Sequence, residues 1–228
     1  MTKKAVQLFF AEASQIRNDS DQSVLSAGER TRLQGMSKSR RQSFILGRSL
    51  IRQSLERVFR GRPESGAEVL TTASGALELK DYPKFSISLS HSQDFFVFVL
   101  AEEASVGVDI EVETFDRPHE KILGRVFSKE IAEKFVSLEK DDTTKALSFF
   151  YRLWTAREAF VKASGLSLLS PEVNDCLPIE ELCSDATKSD FQRGEYHWTF
   201  LTPPNFPLVC VCSKSTSPVL VVQTSSIG

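Results

Sequence analysis

Hydrophobic residues recur at helical spacing in three segments of the chain. In residues 38–59, one apolar stripe falls within about 60° on a helical wheel of about 100° per residue. Residues 121–138 and 143–164 follow the same period. These patterns predict three helices.

Alternation of apolar and polar residues, with a period of two, predicts the strands. In FSISLS, residues 85–90, apolar side chains face one way and serines the other. The apolar run 95–101 predicts a buried strand, and VGVDIEV, residues 106–112, predicts a third. We interpret these three as a β-meander. Three further strands are predicted towards the C-terminus, at residues 196–201, 208–213 and 219–224.

Helices followed by strands occur once in each half of the sequence. This order predicts an α+β protein of two halves, residues 1–105 and 106–228. Residues 165–194 mix prolines and acids without a clear period, and we expect them to be mostly loop.

Composition indicates a folded globular protein, since 41% of the 228 residues are hydrophobic and 25% are charged. The apolar run near the N-terminus is too short for a signal-peptide core. The run 95–101 is far shorter than the roughly 20 residues of a membrane span. We therefore expect a cytoplasmic protein that does not bind membranes.

Positive charge is concentrated although the net charge is only −2. Residues 30–62 contain ten Lys and Arg against one acid, Glu56. On the helical wheel, Arg41, Arg48 and Arg52 cluster within about 40° beside the apolar stripe. This cluster predicts a polyanionic partner.

Two acids share one face of the strand VGVDIEV. Asp109 and Glu111 lie about 7 Å apart at the ~3.3 Å rise of a strand. Gly107, on the same face, is expected to leave open space beside Asp109 for a ligand. A solvated strand face is the ordinary alternative, whereas a metal ion would neutralise two adjacent carboxylates.

A third acid comes from the helical segment WTAREAFVKASG, residues 154–165. Glu158 lies where the apolar face of this helix ends, and Lys162 follows one turn later. The pair could be a surface salt bridge worth a few tenths of a kcal/mol. Alternatively, Glu158 completes a site with Asp109 and Glu111 while Lys162 contacts a bound anion, a donor set that suits Mg²⁺ and phosphate oxygens.

Four segments together resemble the 4′-phosphopantetheinyl transferases of the surfactin-synthetase-activating type. They are RRQSFILGRSLIR (40–52), ISLSHS (87–92), VGVDIE (106–111) and WTAREAFVKASG (154–165). The resemblance implies a pseudo-dimeric monomer of two similar α+β halves, with coenzyme A and Mg²⁺ in the cleft between them. It also implies that a serine hydroxyl of an apo acyl or peptidyl carrier protein attacks the β-phosphorus of coenzyme A, releasing 3′,5′-ADP.

The resemblance also implies roles for individual residues. Asp109, Glu111 and Glu158 match the metal-binding acids, and Lys162 matches a pyrophosphate-contacting lysine that acts with Glu158 in catalysis. The proton of the serine would go to Glu158 or to a metal-bound water. Coenzyme A would contact a further set of residues: Arg41, Arg48, Arg52, Ser90 and His91.

Two positions depart from the family pattern. Arg157 stands where relatives usually have lysine, a change that we expect to be harmless. In FSKEIAE, Glu130 lies one position before and Glu133 two positions after the glutamate of the family's FSxxE block, so neither is given a role.

Other functions share some of these features. The basic helix could belong to a nucleic-acid-binding module, although no groove-reading motif accompanies it and we expect no nucleic-acid partner. The same acids could serve a Mg²⁺-dependent phosphodiesterase that acts on coenzyme A, or an inactive coenzyme A sensor.

Overall fold

The computed structural model describes residues 5–16, 25–184, 187–214 and 218–223. The chain forms two compact units. One runs to Ala104 and includes the C-terminal strand, and the other spans Ser105–Thr216. The C-terminal strand thus lies outside the half to which the sequence assigned it, because it pairs in parallel with the first strand. The mixture of helices and sheets in both units confirms the α+β class.

The N-terminal unit is built on a six-stranded sheet of order β10-β1-β5-β4-β3-β2. Its strands are β1 (Val6–Glu12), β2 (Val69–Thr71), β3 (Leu77–Leu79), β4 (Phe85–Ser92), β5 (Phe95–Glu102) and β10 (Val219–Gln223). The sequence predicts β4, β5 and β10 but not the other three. β2 and β3 are only three residues long, and in β1 a run of consecutive buried residues hides the alternation.

The predicted β-meander is wrong at its third strand. β4 and β5 form the expected antiparallel hairpin. The other edge of β5 is taken by β1, which pairs antiparallel with it. The third strand, β6 (Val106–Glu111), therefore lies in the second sheet, where it pairs with β9.

One long helix covers the N-terminal sheet. α2 (Lys38–Val58) confirms the helix predicted at residues 38–59 and begins at Ser37, whose hydroxyl accepts the backbone N–H of Arg40. Gly47 allows close packing, since a Cβ there would lie 2.7 Å from Leu89 Cδ2. A shorter helix, α1 (Ala27–Arg32), precedes α2, and two 3-10 turns lie at Ala13–Gln15 and Pro63–Gly66.

The C-terminal unit is built on a four-stranded antiparallel sheet of order β6-β9-β8-β7. Besides β6, its strands are β7 (Asp190–Arg193), β8 (Tyr196–Leu201) and β9 (Leu208–Ser213). Its helices are α3 (His119–Val126), α4 (Lys129–Asp141), α5 (Thr143–Ser164), α6 (Glu172–Cys176) and α7 (Ile179–Ser184). The aromatic core between α5 and the sheet includes Phe160 and Trp198, both at most 1% exposed.

Helix α5 matches the helix predicted at residues 143–164. Asp142 caps its start by accepting the Lys145 N–H, and Gly165, at φ 75°, ends it in the left-handed conformation that glycine adopts without strain. The helix predicted at residues 121–138 is instead two, α3 and α4, interrupted at Phe127 and Ser128. Residues 165–194 contain three short elements, α6, α7 and β7, each too short for a periodic pattern to predict.

Within the described residues, no helix is both long and apolar enough to cross a lipid bilayer.

Candidate active site

The polar face of β6 packs directly against α5. At Gly107, an added Cβ would lie 2.1 Å from the Ala159 carbonyl oxygen and 2.6 Å from the Ala163 nitrogen. The backbone of α5 therefore fills the space beside this glycine. The prediction that Gly107 leaves room for a ligand is wrong, because glycine here allows the helix to approach the strand.

This close contact brings Lys162 of α5 to Asp109 of β6. Asp109 is buried, and Lys162 Nζ donates to its Oδ1 at 2.8 Å. The same ammonium group donates to the Val108 carbonyl oxygen at 3.1 Å. Because Lys162 retains 27% side-chain exposure, it joins the buried acid to the protein surface.

Glu158 lies one helical turn before Lys162, with 4.0 Å between Oε2 and Nζ. Among the described residues, no side chain or backbone group donates a hydrogen bond to this carboxylate. Burial raises the pKa of Glu158, and the fields of Asp109 and Glu111 add to the rise against the opposing field of Lys162. The three acids are therefore electrostatically coupled.

Glu111 is held by two side chains to which the sequence analysis assigned no role. Arg117 donates two hydrogen bonds to the carboxylate, from Nη1 to Oε1 at 2.8 Å and from Nη2 to Oε2 at 2.9 Å. Trp154 donates its indole N–H to Oε1 at 3.0 Å. Trp154 lies one helical turn before Glu158, and this spacing could have indicated that its side chain reaches the site. Arg117 lies in a loop without a periodic pattern, so the sequence carries no comparable signal for its contact.

The donor set suits a hard dication, since carboxylate oxygens are the ligands that Mg²⁺ prefers. Across residues 5–16, 25–184, 187–214 and 218–223, however, no three His, Cys, Asp or Glu side chains are arranged as ready metal ligands. At this site Lys162 and Arg117 engage two of the three carboxylates. Asp109, Glu111 and Glu158 thus fit Mg²⁺ by chemistry, and these ion pairs would have to open for it.

The basic helix of the N-terminal unit presents its arginines unequally. Arg48 is only 4% exposed, with Nε 2.7 Å from Glu29 Oε1 and Nη2 donating to Thr71 Oγ1 at 3.0 Å. Arg52 pairs with the other oxygen of Glu29. Arg41 is exposed, and its Nη2 makes a long contact, 3.4 Å, to the Leu33 carbonyl oxygen. Glu29, one residue before the basic run, therefore neutralises much of the predicted cluster.

The end of β4 carries the last two predicted contact residues. Ser90 is buried, whereas His91 is exposed and its ring stacks on its cross-strand neighbour Phe96 at 5.2 Å between centroids. Both belong to the N-terminal unit.

Glu130 and Glu133 lie on the exposed surface of α4. A hydrogen bond from Ser128 lowers the pKa of Glu130, and Glu133 pairs with Lys129. Neither contact involves the acids of β6 and α5.

Arg157 has a larger structural role than the sequence indicated. It is 1% exposed and donates to the carbonyl oxygens of Leu168 and Ser170 and to the Asn174 side chain. Lysine has one nitrogen in place of three and cannot reproduce this pattern. That arginine in place of the family's usual lysine is harmless stays a prediction.

Comparison with known families locates the site within a recognised domain. Residues 105–207 match the family model of the 4′-phosphopantetheinyl transferase superfamily. This segment contains Asp109, Glu111, Glu158 and Lys162 as well as Arg117. The resemblance is confirmed at the level of the superfamily, and the narrower surfactin-synthetase-activating type stays a prediction.

Curated relatives carry related names. A Synechocystis protein provisionally named 4′-phosphopantetheinyl transferase is 29% identical over 80% of this chain and 73% of its own length. A 4′-phosphopantetheinyl transferase of Bacillus pumilus is 30% identical over 53% of this chain and 49% of its own. The mouse L-aminoadipate-semialdehyde dehydrogenase-phosphopantetheinyl transferase is 33% identical, but the match covers 35% of its length. These names confirm the expected enzyme class, while the chain spans half or less of the last two relatives.

Proposed function

We propose that this protein transfers the 4′-phosphopantetheine group of coenzyme A to a serine of an apo carrier protein. The observation that supports this most is the coupling of three carboxylates around Lys162, within the segment that matches the transferase superfamily. Lys162 and Arg117 balance two of these three buried or half-buried carboxylates, and the remaining negative charge favours a further cation. Asp109, Glu111 and Glu158 would hold that cation, Mg²⁺.

The reaction is a phosphoryl transfer. The serine oxygen forms a bond to the β-phosphorus of coenzyme A while the bond from that phosphorus to the oxygen bridging the two phosphates breaks, so 3′,5′-ADP leaves. Mg²⁺, when bound, would polarise the diphosphate as a Lewis acid. Positioning and charge neutralisation supply most of the catalysis in such transfers.

Glu158 and Lys162 would carry the protein's part of the chemistry. Glu158, a half-buried carboxylate beside Lys162, is the residue proposed to accept the proton of the serine hydroxyl. Lys162 Nζ, released from Asp109 when that carboxylate binds the cation, would stabilise negative charge growing on the leaving phosphate.

Coenzyme A would also be held by residues of the N-terminal unit. Among these arginines, the exposed Arg41 suits a phosphate best, because its guanidinium group can donate hydrogen bonds to two phosphate oxygens at once. Arg48 and Arg52, paired with Glu29, would act mainly by fixing this helix. Ser90 and His91 would contribute hydroxyl and imidazole donors to phosphate.

The partner would be an acyl or peptidyl carrier protein. The protein would act on it as a monomer in the cytoplasm. Carrier proteins of this kind are usually acidic around the modified serine, and the basic stretch of residues 30–62 would attract them.

Mass spectrometry of apo carriers tests the proposal. Incubation with coenzyme A and Mg²⁺ should add phosphopantetheine to at least one carrier of an acyl and peptidyl panel, and chelation of Mg²⁺ should prevent it. Release of 3′,5′-ADP without any carrier would instead support a phosphodiesterase. Absence of both products, with an active control transferase in parallel, would contradict the proposal.

A further inference from the structure

The Glu111 carboxylate is the most firmly held of the three acids. It accepts two charge-assisted hydrogen bonds from Arg117, at 2.8 and 2.9 Å, and a third from the Trp154 indole at 3.0 Å. The carboxylate side chain is 12% exposed and the guanidinium side chain 34%. A two-point arginine–carboxylate contact of this kind is both directional and strong.

Arg117 is held in place by a loop that is itself anchored. The Tyr151 hydroxyl, on the buried face of α5, accepts the Thr114 N–H at 3.0 Å and donates to the Thr114 carbonyl at 3.1 Å. The guanidinium carbon of Arg117 lies 5.7 Å from the centre of the Tyr151 ring. The loop between β6 and α3 therefore presents Arg117 to Glu111 from a fixed position.

Charge balance gives this contact a consequence for cation binding. Three carboxylates, those of Asp109, Glu111 and Glu158, face two cations of the chain, Lys162 and Arg117. The pKa of Arg117 is raised chiefly by its hydrogen bond to Glu111, and the field of Asp109 adds to this. The field of Arg117 also lowers the pKa of Glu158. Arg117 thus interacts with the whole set of acids and already supplies part of the positive charge that a dication would bring.

We propose that Arg117 is a displaceable counter-ion that competes with the dication for Glu111 and so sets the dication concentration that the protein requires. The inference rests on the proposed function, since it assumes that the three acids take up Mg²⁺. Arg117 is a positioning residue in this account: it holds Glu111 in the metal-free protein and releases it when the ion binds. Lys162 makes the corresponding contact with Asp109, but its proposed role in transfer prevents a clean test there.

Binding of Mn²⁺, a paramagnetic substitute for Mg²⁺, tests this without any reaction. Electron paramagnetic resonance of free Mn²⁺ would be recorded for the wild type and for Arg117→Gln, with no coenzyme A present. Loss of one positive charge in contact with Glu111 should tighten Mn²⁺ binding at least about tenfold. Arg125→Gln, an exposed position on α3 of the same unit, is the matched control and should leave binding unchanged.

Two more variants separate charge from hydrogen bonding. Arg117→Lys keeps the charge but loses the two-point contact, and should tighten binding only a few-fold. Trp154→Phe removes the third hydrogen bond while leaving Arg117 in place, and should change binding less than about threefold. Thermal melting would show that each variant is folded, and Arg117→Lys carries the test if Arg117→Gln does not fold.

The outcomes separate this inference from the proposed function. Unchanged or weaker Mn²⁺ binding by Arg117→Gln, with clear binding by the wild type, would overturn the inference alone. Binding by Arg117→Gln only would support it. If neither protein binds Mn²⁺, or if Asp109→Asn binds it as well as the wild type, the metal site of the proposed function fails and the inference fails with it.

Discussion

Lys162 Nζ lies 2.8 Å from Asp109 Oδ1, joining a strand residue to a helix residue 53 positions later in the chain. The same nitrogen is 4.0 Å from Glu158 Oε2. One ammonium group therefore serves two carboxylates, and the field of Glu111 reaches the second of them as well. The stability of this arrangement should depend on pH.

Glu158→Gln should raise the melting temperature of the metal-free protein at pH 8. The pKa of Glu158 is raised in the folded state. At a pH above that pKa the carboxylate is ionised, and its charge lowers the free energy of unfolding. Glutamine removes this cost. The advantage of the variant should shrink as the pH falls through the raised pKa, because the wild-type carboxyl then takes up a proton. Melting curves at pH 8 and pH 5 in chelator check this, and a wild type that is more stable at pH 8 would contradict it.

Gly107→Ala should destabilise the C-terminal unit. The added methyl would overlap the Ala159 carbonyl and the Ala163 nitrogen, which are backbone atoms and cannot rotate away. Overpacking of this kind typically costs about 1–3 kcal/mol. Urea unfolding measures the loss. Gly124→Ala on α3, where the nearest atom would be 3.9 Å away, is the control and should be neutral or stabilising. Equal stability of both variants would show that α5 does not depend on this close approach.

Arg157→Lys should lower the free energy of unfolding by about 3 kcal/mol, because hydrogen bonds from a buried charged group are lost. The guanidinium group joins α5 to the segment that contains Leu168, Ser170 and Asn174. Urea unfolding again gives the measurement, with Arg125→Lys on the surface of α3 as control. A loss no larger than that of the control would show that these hydrogen bonds contribute little to stability.

Replacing Arg48 should lower stability, whereas replacing Arg41 should raise the KM for coenzyme A. Arg48→Gln leaves Glu29, 4% exposed, without one of its two arginine partners, so we expect a loss of stability of about 3 kcal/mol. Arg41→Gln should keep the stability within about 0.5 kcal/mol, since Arg41 is exposed. It should nevertheless raise the KM for coenzyme A several-fold. Unfolding curves and initial rates measure the two effects, and an unchanged KM would remove Arg41 from the coenzyme site.

Local periodicity predicted the elements that carry the candidate site. Helix α5 and strand β6 were recognised because their side chains repeat at helical and strand spacing, and this placed Asp109, Glu111 and Glu158 correctly on them. Pairing between distant segments was not predicted. Whether β6 follows β5 or joins β9 depends on β1, whose buried run gives no alternating signal.

Contacts made by loop residues could not be predicted from the sequence either. Arg117 lies in a non-periodic segment, and its bond to Glu111 depends on the Tyr151–Thr114 contact that fixes the loop. Gly107 was recognised as a place of close approach, but only the structure shows that the approaching group is a helix.

Transfer rates of the three acid variants test the central claim most directly. Initial rates of phosphopantetheine transfer would be measured for Asp109→Asn, Glu111→Gln and Glu158→Gln, each shown to be folded by its melting curve. Glu133→Gln, an exposed position on α4, serves as control. We predict that each of the three lowers turnover by about 100-fold or more and that the control stays within about twofold of the wild type. Near-normal transfer by any one of the three folded variants would contradict a shared site for these acids.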